Sequence, residues 1–188
     1  MPRLRPVPVT TWYLEMTDAG ALANAPPPDP ELEIRRAELP SPELSHALYA
    51  GVGSRWLWTD RLGWSWARWH EHLVREEVET WVAWVRGTPA GYAEIEHAGD
   101  AVELVSFGLL PAFFGRGYGP RLLDAVVRRA WERGPRRVWL HTCSLDGPTA
   151  LRTYRARGFE LYDERTGTRE VPDAPLEPWP GANADEPS

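Results

Sequence analysis

The sequence has little cysteine, no long apolar run and no surplus of positive charge, and each of these absences excludes a class of protein. Cys143 is the one cysteine, so an intramolecular disulfide is excluded, which fits a reducing compartment. A stretch of about 18 apolar residues, as a transmembrane helix needs, is missing, and so is the apolar core of a signal peptide. The net charge of −6 argues against broad nucleic-acid binding. We therefore expect a cytoplasmic protein without a membrane or nucleic-acid partner.

The composition predicts one folded domain with less ordered ends. The chain has 188 residues, of which 43% are hydrophobic and 26% charged, as is usual for a globular domain. We assign residues 1–170 to this domain, with an N-terminal strand and a Pro-rich linker in residues 1–30. Residues 171–188 are rich in proline and acid, cannot bury much apolar surface, and are predicted to form a flexible tail.

The pattern of apolar residues predicts strands and helices that alternate along most of the chain. Helices are expected after the Ser41-Pro42 cap, over residues 65–77, after the glycines at 115–119 and over 148–157. The alternating segments predict strands over 10–16, 32–38, 80–86, 91–97, 101–110, 137–144 and 159–164. The three strands between residues 80 and 110 form an antiparallel meander, and the next helix makes a right-handed crossover to a parallel strand. We expect a mixed, mostly antiparallel sheet flanked by helices, of the α/β or α+β class.

A glycine-rich turn follows the meander and opens a helix. Residues 115–119 read Gly-Arg-Gly-Tyr-Gly, and Pro120 is tolerated next because the first helical residues need no N–H partner. Alternate glycines let a phosphate approach the backbone, and the helix N-terminus favours an anion. The pattern predicts a pyrophosphate site, although glycine-rich connections of this kind also occur without a ligand. A Walker A lysine is missing, and the preceding meander excludes a dinucleotide-binding fold.

Two motifs at this spacing resemble the GNAT superfamily of N-acetyltransferases. Residues 109–119 (LLPAFFGRGYG) resemble the acetyl-CoA loop of these enzymes, and residues 150–159 (ALRTYRARGF) resemble their A-x-x-x-Y-x-x-x-G-F segment. The resemblance covers residues 78–164, with a weaker match back to residue 32. It implies a GNAT-like sheet, acetyl-CoA as co-substrate and no metal. Two positions depart from the family pattern: Phe114 replaces a Gln or Arg of the loop, and Gly147 replaces an Asn that contacts the cofactor.

The resemblance also implies roles for individual residues. Tyr154 matches the tyrosine that protonates the leaving CoA thiolate. The strand that pairs with the pantetheine arm corresponds to Phe107, Gly108 and Leu109. The pyrophosphate loop corresponds to Gly115, Arg116, Gly117, Tyr118, Gly119 and Pro120.

An acetyl transfer to an amine needs a proton acceptor, and the central strands carry three carboxylates. Glu94 and Glu96 share one face of their strand by alternation. Glu103 lies four residues before Phe107, and strict alternation places both on the same face. We favour Glu103 as general base, acting through water, while a solvated or substrate-binding carboxylate is an equal alternative and Glu94 and Glu96 stay open.

Other polar groups have simpler interpretations. His70 and His72 are spaced to face different sides of a helix and are more typical of a solvated surface than of a metal site. His141 and Cys143 share a strand face, where a packed or cleft-lining role is favoured over a cysteine nucleophile. A basic cluster is expected at a solvated helix end, with contact to the CoA phosphate as the alternative, and comprises Arg128, Arg129, Arg133, Arg136 and Arg137.

Together these features predict an N-acetyltransferase that moves an acetyl group from acetyl-CoA to a primary amine by direct attack. The acceptor, a small molecule or a peptide amine, is not identified by the sequence. Two alternatives stay open: a non-catalytic acyl-CoA sensor, suggested by Phe114 and Gly147, and a transferase of larger acyl groups. The sequence is also compatible with a homodimer.

Overall fold

One mixed sheet forms the centre of the protein. The computed structural model describes residues 4–173 and 176–182. Within them the strands are β1 (Leu4–Met16), β2 (Leu32–Arg36), β3 (Val78–Val85), β4 (Thr88–Ala98), β5 (Ala101–Leu109), β6 (Arg137–Cys143) and β7 (Glu160–Pro172). Their order across the sheet is β2-β3-β4-β5-β6-β1-β7. The pair β5–β6 is parallel and the other pairs are antiparallel, so the predicted fold class is confirmed.

Helices cover both faces of the sheet. One face carries α1 (Pro42–Gly53) and α2 (Trp66–Leu73), and the other carries α3 (Tyr118–Trp131) and α4 (Ala150–Ala156). We call these the α1 face and the α3 face. The helix α1 begins at its predicted cap, where the Ser41 hydroxyl accepts a hydrogen bond of 3.2 Å from the Leu44 N–H. The helix α2 is shorter than the predicted 65–77, because the chain turns into β3 at Val78.

The only parallel contact in the described sheet is short, and it opens a gap. The strands β5 and β6 pair from Ala101 to Leu104 and no further. On the other side of β5, Glu94 pairs with Ser106 and Ile95 with Leu104, which leaves Val105 as the extra residue of a β-bulge. A bulge bends its strand, and beyond it β5 and β6 diverge while β6 continues to pair with β1 through Cys143.

The N-terminal strand β1 lies between β6 and β7 in the sheet. It is longer than the predicted 10–16 and starts at Leu4. From Thr11 onward it pairs with both neighbours, whereas residues 4–10 pair with β7 only. Pro6 and Pro8 lie in the segment that pairs with β7 only. Proline has no N–H to donate, and on the unpaired edge of this segment there is no strand that would need one.

The linker and the first two residues of the predicted tail are more ordered than the composition suggests. Arg157 donates hydrogen bonds to the Ala23 and Asn24 carbonyls, and Arg121 donates one to the Pro27 carbonyl, so the Pro-rich linker is held against α3 and α4. The strand β7 runs to Pro172, two residues into the predicted tail. Of the rest of that tail, residues 174–175 and 183–188 lie outside the described part. Within the described residues, no helix is both long and apolar enough to cross a bilayer.

Leu14 tests the interior position of β1. Its side chain is fully buried, and it pairs with Leu140 on one side and Leu161 on the other. We expect Leu14→Ala to lower the free energy of unfolding by about 2–5 kcal/mol, because a cavity replaces the side chain. Leu4→Ala on the same strand is the control, since Leu4 is 54% exposed, and its effect should stay within about 0.5 kcal/mol. Equal losses in urea unfolding would contradict this position of β1.

Candidate functional site

The gap between β5 and β6 forms a large cleft that passes through the sheet. The cleft has a volume of about 1070 Å³ and is lined by β5 from Leu104 to Leu109, by the end of β6, and by parts of β1 and β7. On the α3 face it is bordered by the glycine-rich turn and α4, and on the α1 face by Tyr49, Trp56 and Trp58. A ligand threaded through the gap would therefore have one end on each face.

The backbone of the glycine-rich turn has the form that an anion site requires. Gly115 and Gly117 have φ angles of 73° and 75°, which favour glycine, and Gly117 caps α3 without a side-chain partner. Arg121 donates a hydrogen bond of 2.7 Å to the Gly117 carbonyl and steadies the turn. The first N–H groups of α3 thus stay available for an anion beside the cleft.

The residues predicted to bind the cofactor divide into two groups. The Tyr118 side chain is buried in the core of the α3 face, so only its backbone could contact a phosphate, and Arg116 is exposed but outside the lining. The other predicted residues all line the cleft: Phe107, Gly108, Leu109, Gly115, Gly117, Gly119 and Pro120. The backbone of Phe107, Gly108 and Leu109 pairs with β4 on one side only. Its other edge faces the gap, where an extended ligand could take the place of a strand.

Tyr154 lies on α4, and its side chain lines the cleft. It is buried, and its ring meets Phe107 and Phe159 edge to face, with centroids 6.0 and 6.3 Å away. Burial, with a smaller effect from the charge of Asp146, raises the pKa of Tyr154. Tyr154 therefore packs α4 on the sheet, lines the cleft and carries a protonated hydroxyl.

Glu94 is held in a buried ionic cluster on the α1 face. Its Oε1 accepts one hydrogen bond of 2.8 Å from Arg61 and lies 3.0 Å from His72 Nε2. Burial alone would raise the pKa of Glu94, but the hydrogen bond with His72 and the charge of Arg61 outweigh it and hold the pKa below its ordinary value. Glu94 is 1% exposed and does not line the cleft. A carboxylate so strongly stabilised in its ionised form is a poor proton acceptor.

The expectation that Glu103 shares a face with Phe107 is wrong. The extra residue Val105 reverses the alternation, so that Leu104 and Phe107 both pack on the α3 face although they are three residues apart. Glu103, next to Leu104, consequently faces the α1 face. Simple counting by two fails across a β-bulge, and the sequence carries no marker for the bulge.

Glu103 reaches the cleft only through a neighbour, His141 on β6. Its Oε1 lies 3.4 Å from His141 Nδ1, and the His141 side chain is 48% exposed and lines the cleft. Glu103 itself is 23% exposed and is outside the lining. Glu96, directly opposite Glu103 on β4, is paired with Arg75 at 2.6 Å. Among the three candidate carboxylates, Glu103 therefore contacts a histidine that lines the cleft, whereas Glu94 reaches the lining only through Arg61, which stays positively charged.

Both departures from the family pattern lie at the cleft. A side chain at position 147 would begin 3.4 Å from the Trp56 ring, so Trp56 fills the space into which a larger residue would extend. Trp58 donates a hydrogen bond of 3.2 Å to Asp146 Oδ1, next to Gly147. Phe114 is 39% exposed and borders the cleft. The aromatic side chains thus replace polar contacts with apolar surface.

The remaining predicted groups lie elsewhere or are paired. His72 is buried against Glu94, so a solvated surface is wrong for it, while His70 stacks on Trp66 with centroids 4.9 Å apart. Burial raises the pKa of Cys143, so its thiol is a weak nucleophile. Groups of three or more His, Cys, Asp or Glu spaced to hold a metal do not occur in residues 4–173 and 176–182. The basic residues are paired with carboxylates at the far end of α3 and the start of β6: Arg128, Arg129, Arg133, Arg136 and Arg137.

Sequence and structure comparisons agree on the family. Residues 35–159 match the model of the acetyltransferase (GNAT) family. No curated protein sequence matches the chain at a significant level. Among solved structures, a GCN5-related N-acetyltransferase from Sphaerobacter thermophilus gives a TM-score of 0.67 at 19% identity, over 93% of this chain and 55% of that one. One from Kribbella flavida gives 0.61 at 17% identity, over 90% and 60%.

An aminoglycoside acetyltransferase from an uncultured soil metagenomic sample, solved in complex with sisomicin, has a TM-score of 0.58 at 14% identity, over 68% of this chain and 87% of that one. At these identities the structural likeness shows the fold alone. The chain spans little more than half the length of the Sphaerobacter and Kribbella structures.

The Glu94 cluster has a pH-dependent effect on stability. Because the pKa of Glu94 is lower in the folded state, its contribution is complete above the ordinary Glu pKa of about 4.3 and is lost as the pH falls through the folded value. We expect Glu94→Gln to cost about 3 kcal/mol at pH 7, and this cost should shrink at pH 3. Glu96→Gln is the control, because its partly exposed pair should matter by about 1 kcal/mol or less. A Glu94→Gln cost in urea unfolding that is equal at both pH values would contradict the assignment.

Proposed function

The chain belongs to the GNAT family of acetyltransferases, and from this premise we propose that it transfers an acetyl group from acetyl-CoA to a primary amine in the cytoplasm. The observation that carries the proposal is the cleft between β5 and β6, which joins an anion site at the glycine-rich turn to a buried tyrosine. The amine attacks the thioester directly, and the CoA thiolate leaves.

Two parts of acetyl-CoA, the pyrophosphate and the pantetheine arm, match groups that border the cleft. The pyrophosphate would bind at the turn around Gly117, where backbone N–H groups and the helix dipole favour negative charge. The pantetheine arm would run along Phe107, Gly108 and Leu109, whose free strand edge offers hydrogen bonds to its amides. This route brings the thioester to the gap between the strands.

Tyr154 is proposed as the general acid that protonates the leaving thiolate. A tyrosine is protonated at neutral pH, and burial of Tyr154 raises its pKa further. It would therefore donate only as negative charge develops on the sulfur while the C–S bond breaks. It lies on α4 at the wall of the cleft, and its place in the sequence resembles that of the tyrosine in the family motif.

The acceptor would enter from the α1 face. The lining there combines the aromatic side chains of Tyr13, Tyr49 and Trp58 with Arg61 and Arg169. Arg61 is paired with Glu94 and Arg169 with Asp60. Asp60 and Asp146 also line the cleft, so these arginines do not exclude a cationic acceptor. From the aromatic lining we propose an amine with an aromatic or aliphatic body, either a small molecule or a peptide.

A thiol-release assay with acetyl-CoA and a panel of amines tests the function. The panel holds aromatic monoamines, aliphatic monoamines, short peptides and a polycationic aminoglycoside, and longer acyl-CoA donors test the acyl chain length. We expect turnover with at least one monoamine or peptide amine. Binding of CoA without turnover on any amine would instead favour an acyl-CoA sensor, consistent with the apolar replacements at Phe114 and Gly147.

Gly119→Val tests the pyrophosphate site. A side chain there meets nothing closer than Leu109 at 3.7 Å, so the fold tolerates it, but it enters the cleft. We expect CoA binding to weaken by more than tenfold, or about 1.4 kcal/mol, in calorimetry. Gly117→Val is less clean, because it also strains the left-handed cap. Gly63→Val is the control, since a side chain at this exposed site meets nothing within 4 Å. Unchanged CoA affinity in Gly119→Val would refute the site.

Tyr154→Phe tests the general acid by removing only the hydroxyl. Turnover should fall by about 10-fold to 10³-fold, while the affinity for acetyl-CoA changes little, because the lost interaction acts when the thiolate leaves. Tyr162→Phe, at a tyrosine of β7 that is 43% exposed, controls for loss of a hydroxyl. If Tyr154→Phe keeps full turnover and loses only thermal stability, the tyrosine is structural and another group donates the proton.

A further inference from the structure

We propose that His141 accepts the proton of the acceptor amine, and that Glu103 is the residue that orients it. This inference rests on the proposed acyl transfer, because it assigns a role within that reaction. It replaces a direct role of the Glu103 carboxylate with an indirect one.

His141 and Glu103 form a pair in which His141 lies at the cleft and Glu103 lies behind it. His141 lines the cleft and is half exposed, whereas Glu103 lies behind it and is outside the lining. The two are brought together by the parallel contact, in which Glu103 pairs with Trp139, two residues before His141. A proton acceptor must reach its donor, and of this pair only the imidazole lines the cleft.

The contact with Glu103 also determines which ring nitrogen of His141 accepts the proton. With Nδ1 3.4 Å from the Glu103 carboxylate, the Nδ1–H is the donor, and Nε2 is left to accept a proton. The Tyr13 and Trp139 rings lie beside the imidazole, with centroids 5.9 and 6.4 Å away, and limit its rotation. A separation of 3.4 Å is long for a hydrogen bond, as is common for catalytic pairs before substrate binds.

The charges around His141 favour its protonated form. The hydrogen bond with Glu103 raises the pKa of His141 above its ordinary value, against the effect of burial. Negative charge also comes from the loops that follow β6 and precede α2. The charged and titratable groups near the ring are Glu103, Asp146, Asp60, Tyr13 and, over the Tyr13 ring, Arg165. The raised pKa makes His141 a stronger base, and its ring can accept a proton from the acceptor amine at a pH above that pKa, where it is unprotonated.

The proposed proton transfers balance. His141 takes one proton from the acceptor ammonium, and the freed lone pair forms the C–N bond at the thioester carbon. The C–S bond then breaks, and the thiolate takes the proton of Tyr154. The second amine proton leaves the nitrogen and restores Tyr154 through solvent, while His141 releases its proton to solvent. The products are the amide, free CoA and one proton.

The roles of His141 and Glu103 are tested by the pH dependence of kcat/KM in two variants and one control. In the wild type the rate should fall on the acid side as His141 becomes protonated. Glu103→Gln should shift this acidic limb to lower pH, because it removes the charge that raises the His141 pKa. His141→Gln should lower the plateau by about 10²-fold and abolish the limb. His46→Gln, an exposed histidine of α1, is the control and should leave the profile unchanged.

A second measurement does not depend on turnover. The NMR titration of the His141 ring should give a lower pKa in Glu103→Gln than in the wild type. A pair with a purely structural role would show the same pKa change. The proposal therefore also requires that the acidic limb of kcat/KM shift together with the NMR pKa. If His141→Gln keeps the wild-type plateau and limb, or the limb stays in place in Glu103→Gln while the NMR pKa falls, the inference is wrong although the transferase function stands. Absence of wild-type turnover on every amine overturns both.

Discussion

The divergence of β5 from β6 after Leu104 is the constraint on which the rest of the site depends. The two strands share a parallel contact of four residue pairs, Ala101–Leu104 with Arg137–Leu140. The bulge at Val105 then bends β5 away. A regular sheet would pair these strands to their ends and leave no edge for a ligand. Because the strands separate, peptide groups in the middle of a sheet stay accessible, and a cleft connects both faces.

The two faces that the cleft connects carry different chemical groups. The α3 face carries the glycine-rich turn and Tyr154, which suit the anionic and leaving ends of an acyl-CoA. The α1 face carries an aromatic wall, and His141 with Glu103 behind it. Glu94 is also on this face, but Arg61 and His72 hold it ionised inside the protein. A donor and an acceptor of protons would thus stand on opposite sides of the gap, so that different groups would deprotonate the amine and protonate the thiolate.

Local features of the site could be predicted from the sequence, and non-local ones could not. The glycine pattern at 115–119, the start of α1 at Ser41 and the tyrosine of α4 depend on neighbouring residues, so their motifs contain the information. The parallel crossover follows from the order of elements. The place of β1 between β6 and β7 depends on residues more than a hundred positions away. The face of Glu103 depends on a bulge, and its contact with His141 depends on the register of two strands, neither of which a single sequence specifies.

The central claim is that acetyl-CoA binds in the gap between β5 and β6, and a crystal structure of the protein with CoA tests it most directly. The account predicts the pyrophosphate on the backbone around Gly117, the pantetheine arm hydrogen-bonded to the free edge of β5 at Phe107 and Leu109, and the thiol beside Tyr154. A CoA molecule bound on another surface, with the gap left free or filled by side chains, would contradict it.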